Sequence, residues 1–300
     1  VITNFPNHPR GEIFDGYKNK WSSQKIIKKI KVIRVFTFLT PNRGIIKRTI
    51  NYLLYMILSI FHGMKEDDVD IIISTSPQLL CGLAGATLSK LKKKPHVFEI
   101  RDIWPSSIAA VGLIKKNNII YRILSFVEKK IISSAQVVAV VTDGILSHVK
   151  KFKKENVILI PNGIMIDNFK QKKQTINFDN LTFGYVGTIG SAHNTQVILE
   201  AAKLLKDEKN INFRIIGDGA EQKEIFKQAK QIKNISTNGL LLSDEIIDEI
   251  HKIDVGLVTL KNDPLWTSAL PTKMFEFLIL GKPIILSIPN GGTTEMIIQN

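Results

Sequence analysis

Residues 181–219 read LTFGYVGTIGSAHNTQVILEAAKLLKDEKNINFRIIGDG, and their pattern decides the fold class. The run 181–186 is short, apolar and rich in β-branched and aromatic residues, and it stops at Gly187, with Gly190 close behind. Apolar residues then recur at helical spacing over 193–206, and a second strand-like run covers 212–216. Runs of this length suit strands buried on both faces. Two such strands joined through a helix lie parallel, because the crossover returns the chain to the end from which it started.

The same alternation extends in both directions. Downstream it predicts helices over 220–230, 243–251 and 271–280, strands near 235–237, 253–258 and 283–287, and a helix opening at Thr293. Upstream it predicts strands over 31–38, 69–75, 96–100 and 136–142, with helices over 47–61, 79–92, 103–112, 118–133 and 143–152. The stretch NVILIPNG (156–163) closes this half with a strand and a turn, and a polar, lysine-rich segment over 167–180 reads as a linker. The expected architecture is α/β: two Rossmann-like domains, 1–166 and 181–300, facing each other across a cleft. The chain opens on the loop-like NFPNHPRGEIFDGYKNKW (4–21) and stops within an apolar helical pattern, so the sequence reads as a fragment. The N-terminal domain is expected to lack its first strand and the C-terminal domain to be incomplete.

Composition narrows the function. With 300 residues and an apolar fraction of 44%, the chain buries substantial cores, which excludes disorder as the default. Its one cysteine, Cys81, excludes an internal disulfide framework and a cysteine-rich metal knuckle. A formal charge of +14 attracts anions. That charge is spread along the chain, and its lysine runs lack interleaved aromatics, so nucleic acid is not an expected partner. No run has the length of a membrane span. The segment 47–61, with Lys47 and Arg48 at its entrance, fits either an ordinary buried helix or one lying against anionic lipid headgroups.

Several residues could carry chemistry. Gly187 and Gly190 form a strand-to-helix turn whose amides can approach a phosphate, although the spacing matches neither a dinucleotide fingerprint nor a Walker loop. In LPTKMFEFLILGKPII (270–285), Thr272 is placed to cap a helix, Lys273 to add positive charge for a diphosphate, and Glu276 to accept hydrogen bonds from a sugar diol. A solvated first-turn carboxylate, favoured by the helix dipole, explains Glu276 equally well. Arg101 and Asp102 end a buried strand, where open sheets gather ligands: Arg101 suits a phosphate and Asp102 a hydroxyl acceptor, or the two form an ion pair that pins the loop against Trp104. Ser74, Thr75, Ser76 and Thr142 offer polar donors at similar strand ends, and Asp143 doubles as a helix cap. Asp68-Val69-Asp70 looks like a metal-nucleotide motif but precedes its strand, and no histidine pair has ligand spacing, so no metal site is expected.

Taken in order, NFPNHPRGEIFDGY, STSPQLLCGLAG, EIRDIWPSSIAAVGLI, LIPNGIMIDNF, GYVGTIG, IIGDGAE, LPTKMFEFLILGKPII and GGTTEMI resemble the GT-B glycosyltransferases of glycosyltransferase family 4. Within it they are most similar to the bacterial O-antigen and capsular polysaccharide branch, with its N-acetyl-L-fucosamine and colanic acid transferases. The resemblance implies a retaining, metal-independent enzyme without a cofactor. It would move an N-acetylated sugar from a UDP-sugar, held by the C-terminal domain, to a polyprenyl-diphosphate-linked saccharide acceptor held by the N-terminal one. The expected location is peripheral, on the cytoplasmic face of the inner membrane.

By the same resemblance Glu276 is the carboxylate on the donor ribose, the second acid of an E-x7-E pattern whose first acid falls at Ser268. Gly187 and Gly190 form the diphosphate-side loop, Lys273 belongs to an LPSK-like signature, and Arg101 with Asp102 matches an RD pair near the reacting centre. The chain departs from its branch where Thr188 and 191–194 replace basic residues, and where Ser106 replaces an acid. Two alternatives stand beside this one: a nucleotide-sugar epimerase of the same fold, and a non-catalytic membrane-surface scaffold derived from a transferase.

Overall fold

The computed structural model describes residues 1–7, 11–39, 45–164, 178–241, 243–291 and 294. Most of the linker expected at 167–180, the helix opening at Thr293 and the Ser268 side chain lie outside the described residues. The chain divides into two compact units, Val1–Pro161 and Asn162–Asn300.

The first unit runs β1 (Ile2–Asn4), β2 (Ser22–Ile27), β3 (Ile30–Val35), α1 (Ile45–Met64), β4 (Ile72–Thr75), α2 (Leu79–Lys92), β5 (His96–Ile100), α3 (Ser106–Ala110), α4 (Ile119–Ser134), β6 (Val137–Val140), α5 (Asp143–Val149) and β7 (Val157–Leu159). Strands β4-β5-β6-β7 form a parallel sheet in that order. Phe98 and Ile100 of β5 meet Ile131 and Ile132 of α4 and Val138 and Val140 of β6 in one core. Each such side chain contributes ~1.5–3 kcal/mol on leaving water. Thr142 Oγ1 accepts from the Ile145 amide at 3.3 Å, so Thr142 caps α5, and Asp143, read as a cap from the sequence, is its exposed first residue.

The sequence reading expects a loop over 4–21, and among the described residues no helix or strand lies between Asn4 and Ser22; it also expects no strand ahead of β3. The structure instead forms a second, three-stranded sheet, with β1 parallel to β3 and β2 antiparallel to it. β2 and β3 make a hairpin around Lys28 and Lys29, both at positive φ (48° and 68°). Asn-Gly or Asp-Gly is the usual signal for such a two-residue turn, and lysines in both places hide it. Neither does the sequence SSQKII alternate, because β2 is largely exposed on both sides.

Helix α1 carries one buried and one exposed apolar stripe. Leu58 is buried and packs with Leu54 and Tyr55 against Ile33 and Val35, while Ile50, Leu53, Ile57, Phe61 and Met64 are exposed along another stripe. Among the described residues no helix is long and apolar enough to cross a membrane.

The second unit runs β8 (Leu181–Val186), α6 (Gln196–Leu204), β9 (Ile211–Ile216), α7 (Gln222–Ala229), β10 (Ile235–Asn238), α8 (Ser243–His251), β11 (Val255–Thr259), a 3-10 turn (Pro264–Ser268), α9 (Lys273–Ile279) and β12 (Ile284–Ser287). All its strands are parallel, in the order β10-β9-β8-β11-β12. Neighbouring residues of β8 point to opposite faces. Tyr185 packs with Leu199, Ala202 and Ile225 beneath α6 and α7, and Val186 packs with Ile250 and Phe277 beneath α8 and α9. The chain steps outward from β8 to β10 on one side, then returns to β11 on the other. This reversal makes the carboxyl ends of β8 and β11 a topological switch point, where open α/β sheets bind ligands.

Candidate functional site

The loop after β8 is anchored at the switch point by its own backbone. The Gly187 amide donates to the Ile216 carbonyl at 2.9 Å, the Ile189 amide to that of Asp218 at 2.9 Å, and the His193 amide to that of Gly190 at 2.8 Å. On the β11 side, Thr259 Oγ1 donates to the His193 carbonyl at 2.5 Å and the Lys261 amide to the Ala192 carbonyl at 2.9 Å. Residues 187–193 are thereby stitched to the ends of both β9 and β11.

The turn Gly217-Asp218-Gly219 lies directly against this loop. Gly217 has φ +147°, and a Cβ there would overlap the Gly187 carbonyl oxygen; a Cβ on Gly219 would overlap that of Ile189. The sequence reading gave this turn no role beyond the resemblance. Its signal is a pair of glycines after a strand, where only hydrogen fits between two backbones.

Lys273 opens α9 and reaches the same loop. A Cβ built on Gly187, at φ +137°, would stand 3.3 Å from Lys273 Cε and Nζ, so the amine sits over the backbone of the turn. Lys273 Nζ donates to the Tyr185 hydroxyl at 2.6 Å and lies 4.1 Å from the centre of its ring. Burial pulls the Lys273 pKa down to about 7, and the Glu276 carboxylate partly restores it. Burial also pushes the Glu276 carboxyl up, against the pull of Lys273. His193 is held down at about 3, by burial first and by Lys273 second, so it is neutral at physiological pH. The site thus pairs one titratable cation with a half-buried carboxylate one helical turn further along.

The structure brings Gly187, Gly190 and Lys273 to one end of one sheet, with Glu276 on the Lys273 helix. It corrects the expected cap: Thr272 is helical, with φ −61° and ψ −28°, and its side chain makes no capping hydrogen bond. The Met274 amide donates to the Pro271 carbonyl at 3.1 Å instead. Tyr185 is the residue the sequence missed, because a buried aromatic in a strand reads as core.

Arg101 and Asp102 belong to the first unit, just after β5. The Ser76 hydroxyl accepts from the Arg101 amide at 2.8 Å and from the Asp102 amide at 3.4 Å, tying this turn to the end of β4. Arg101 is exposed and Asp102 half-buried, and burial raises the Asp102 carboxyl while Arg101 pulls it back. Ser74, expected as a strand-end donor, is buried 2.8 Å from His96 Nε2 and is not presented at the surface. Ser106 Oγ pairs with the Tyr121 hydroxyl at 3.1 Å. Among the described residues no group of three or more His, Cys, Asp or Glu is placed to hold a metal ion.

The family model described as "Glycosyl transferases group 1" matches residues 167–300. The Pseudomonas aeruginosa protein assigned as glycosyltransferase WbjE is 27% identical over 215 residues, covering 68% of this chain and 53% of that protein. The Escherichia coli K12 protein assigned as colanic acid biosynthesis glycosyl transferase WcaI is 24% identical over 305 residues, covering 96% of this chain and 74% of that protein. The match to WbjE spans about half that protein's length. Anabaena Alr3699/HepE, solved in complex with UDP-glucose, superposes with a TM-score of 0.63 at 18% identity over 89% of this chain and 70% of that one. The chain is similar in sequence to bacterial polysaccharide glycosyltransferases and carries the two Rossmann-like units of the GT-B-type fold.

Proposed function

We propose that this chain carries the donor-binding and acceptor-binding parts of a retaining glycosyltransferase that uses a UDP-sugar. The observation that carries this reading is the Lys273 amine poised over the Gly187 turn at the switch point of the second sheet. A diphosphate lying on that turn would meet the ammonium and the loop backbone together. As the glycosidic bond breaks, charge grows on the leaving diphosphate, and a fixed cation at that place lowers the barrier. Glu276, a two-oxygen acceptor on the same helix, would hold the ribose diol. Anabaena HepE, of the same fold, was solved with UDP-glucose, which supports the nucleotide class.

On the acceptor side, Asp102 would orient the attacking hydroxyl and Arg101 would hold a phosphate of a polyprenyl-diphosphate-linked saccharide. With no side chain assigned as nucleophile, the hydroxyl attacks on the face that the diphosphate leaves, so the anomeric configuration is retained. The transferred sugar is an N-acetylated one in this reading. The exposed apolar stripe of α1, flanked by Lys47 and Lys65, suits a peripheral position on an anionic membrane face.

Calorimetric titration with UDP and UDP-N-acetylhexosamines, followed by product analysis with and without a lipid-diphosphate acceptor, tests the proposal. Transfer with retained configuration supports it. Conversion of the donor without acceptor means an epimerase, and absence of UDP binding means a scaffold.

A further inference from the structure

We propose that Tyr185 is a positioning residue whose hydroxyl and ring face hold the Lys273 ammonium over the Gly187 turn, ready for a diphosphate. This rests on the donor-binding reading above and adds to it a residue that makes no contact with substrate.

Tyr185 is fully buried in the core beneath α6 and α7, where a phenol without partners would be costly. Its hydroxyl donates to the Thr188 carbonyl at 2.6 Å. That bond commits the proton to the backbone and turns the oxygen lone pairs outward, where Lys273 Nζ donates into them at 2.6 Å. The same ammonium lies 4.1 Å from the ring centre, within cation–π range. One side chain therefore fixes two things: the carbonyl of Thr188, inside the Gly187–Gly190 loop, and the cation above that loop. Phenylalanine would fill the same core space and keep the ring face, but it would hydrogen-bond neither the carbonyl nor the ammonium.

A lysine is otherwise a poor preorganised anchor, because its four-carbon stem has many rotamers to lose. Holding it in place beforehand removes that cost from anion binding. The groups facing the ammonium are Glu276 on α9, His193 on the loop after β8, and the Tyr185 phenol, which burial keeps un-ionised. Of these only Glu276 can set a negative charge against the ammonium, and burial pushes its carboxyl up. A hydrogen bond to the charged form favours that form, so the Tyr185 hydroxyl opposes the burial that pulls Lys273 down.

UDP affinity of Tyr185→Phe, Lys273→Met and the double variant, measured by calorimetry from pH 7 to 9, separates positioning from packing. The parent is expected to bind more weakly as pH rises, since the anion prefers the ammonium. Tyr185→Phe should bind about tenfold more weakly at pH 8, the loss of one charge-assisted hydrogen bond, with the profile displaced to lower pH. Lys273→Met should show a flat profile, and adding Tyr185→Phe to it should change affinity little. An unchanged profile in Tyr185→Phe, or an equal loss in both backgrounds, overturns the proposal. If Tyr185→Phe does not fold, 13Cε lysine NMR of the parent decides, with Lys273 assigned by its loss in Lys273→Met. Ring-current-shifted Lys273 Hε signals with NOEs to the Tyr185 ring uphold the contact, and unshifted signals without them overturn it. If the parent binds no UDP, the donor-binding reading fails first, and the same NMR spectra report on the Tyr185–Lys273 contact separately.

Discussion

Gly217 and Gly187 meet backbone to backbone: a Cβ on Gly217 would overlap the carbonyl oxygen of Gly187. The turn after β9 thus supports the turn after β8 from behind, and the shape of the candidate diphosphate loop depends on a residue outside it. Gly217→Ala is expected to lose ~2–4 kcal/mol of stability, from overlap plus a φ of +147°. UDP affinity should fall along with it. Urea unfolding and calorimetry check both, and a variant as stable as the parent would remove the support role.

Glu276→Gln should weaken UDP binding about ten- to a hundredfold, the loss expected when hydrogen bonds to a carboxylate become bonds to a neutral amide. The loss should shrink for 2′,3′-dideoxy-UDP, which lacks the diol. Equal losses for both ligands would place Glu276 elsewhere in the site.

The pH dependence of stability follows from Lys273. Its folded pKa, about 7, lies below the ordinary 10.5, so between those values the unfolded chain binds more protons. The burial cost is fully present below about pH 7 and is relieved as pH rises toward 10.5. Relative to Lys273→Met, the parent should therefore gain on the order of 5 kcal/mol of stability across that window. Chemical denaturation of both proteins at several pH values measures it, and a pH-independent difference contradicts it.

Asp102→Asn should lower turnover about 10²- to 10⁴-fold while leaving UDP affinity unchanged, as expected of a group acting on the acceptor hydroxyl. Because burial raises the Asp102 pKa, ionising it costs stability above that pKa, and the cost is relieved as pH falls through it. The variant should therefore be at least as stable as the parent at pH 7. Steady-state kinetics with a thermal melt separates this from simple damage.

Ile57→Asp, on the exposed stripe of α1, should reduce sedimentation with phosphatidylserine vesicles about tenfold. Added salt should weaken the parent's binding as well, through screening of the surrounding lysines. Undiminished sedimentation of the variant would move membrane contact off α1.

The alternation of short apolar runs with helical periods was enough to place most strands and helices, since each element's period records which of its faces is buried. Gly187, Gly190 and Lys273 could be picked out singly, as a strand-end turn and a first-turn cation. Their meeting could not, because Lys273 and Tyr185 are 88 residues apart and no local pattern encodes that contact. The strand order β10-β9-β8-β11-β12 was equally hidden, although it creates the switch point that gathers them. The hairpin around Lys28 and Lys29 was missed because pairing with β3, rather than its own composition, makes β2 a strand. The sequence alone determined which segments are buried and where the chain turns; the tertiary structure decided what each is buried against, and with it the cluster of cation, phenol and paired glycine turns that forms the candidate site.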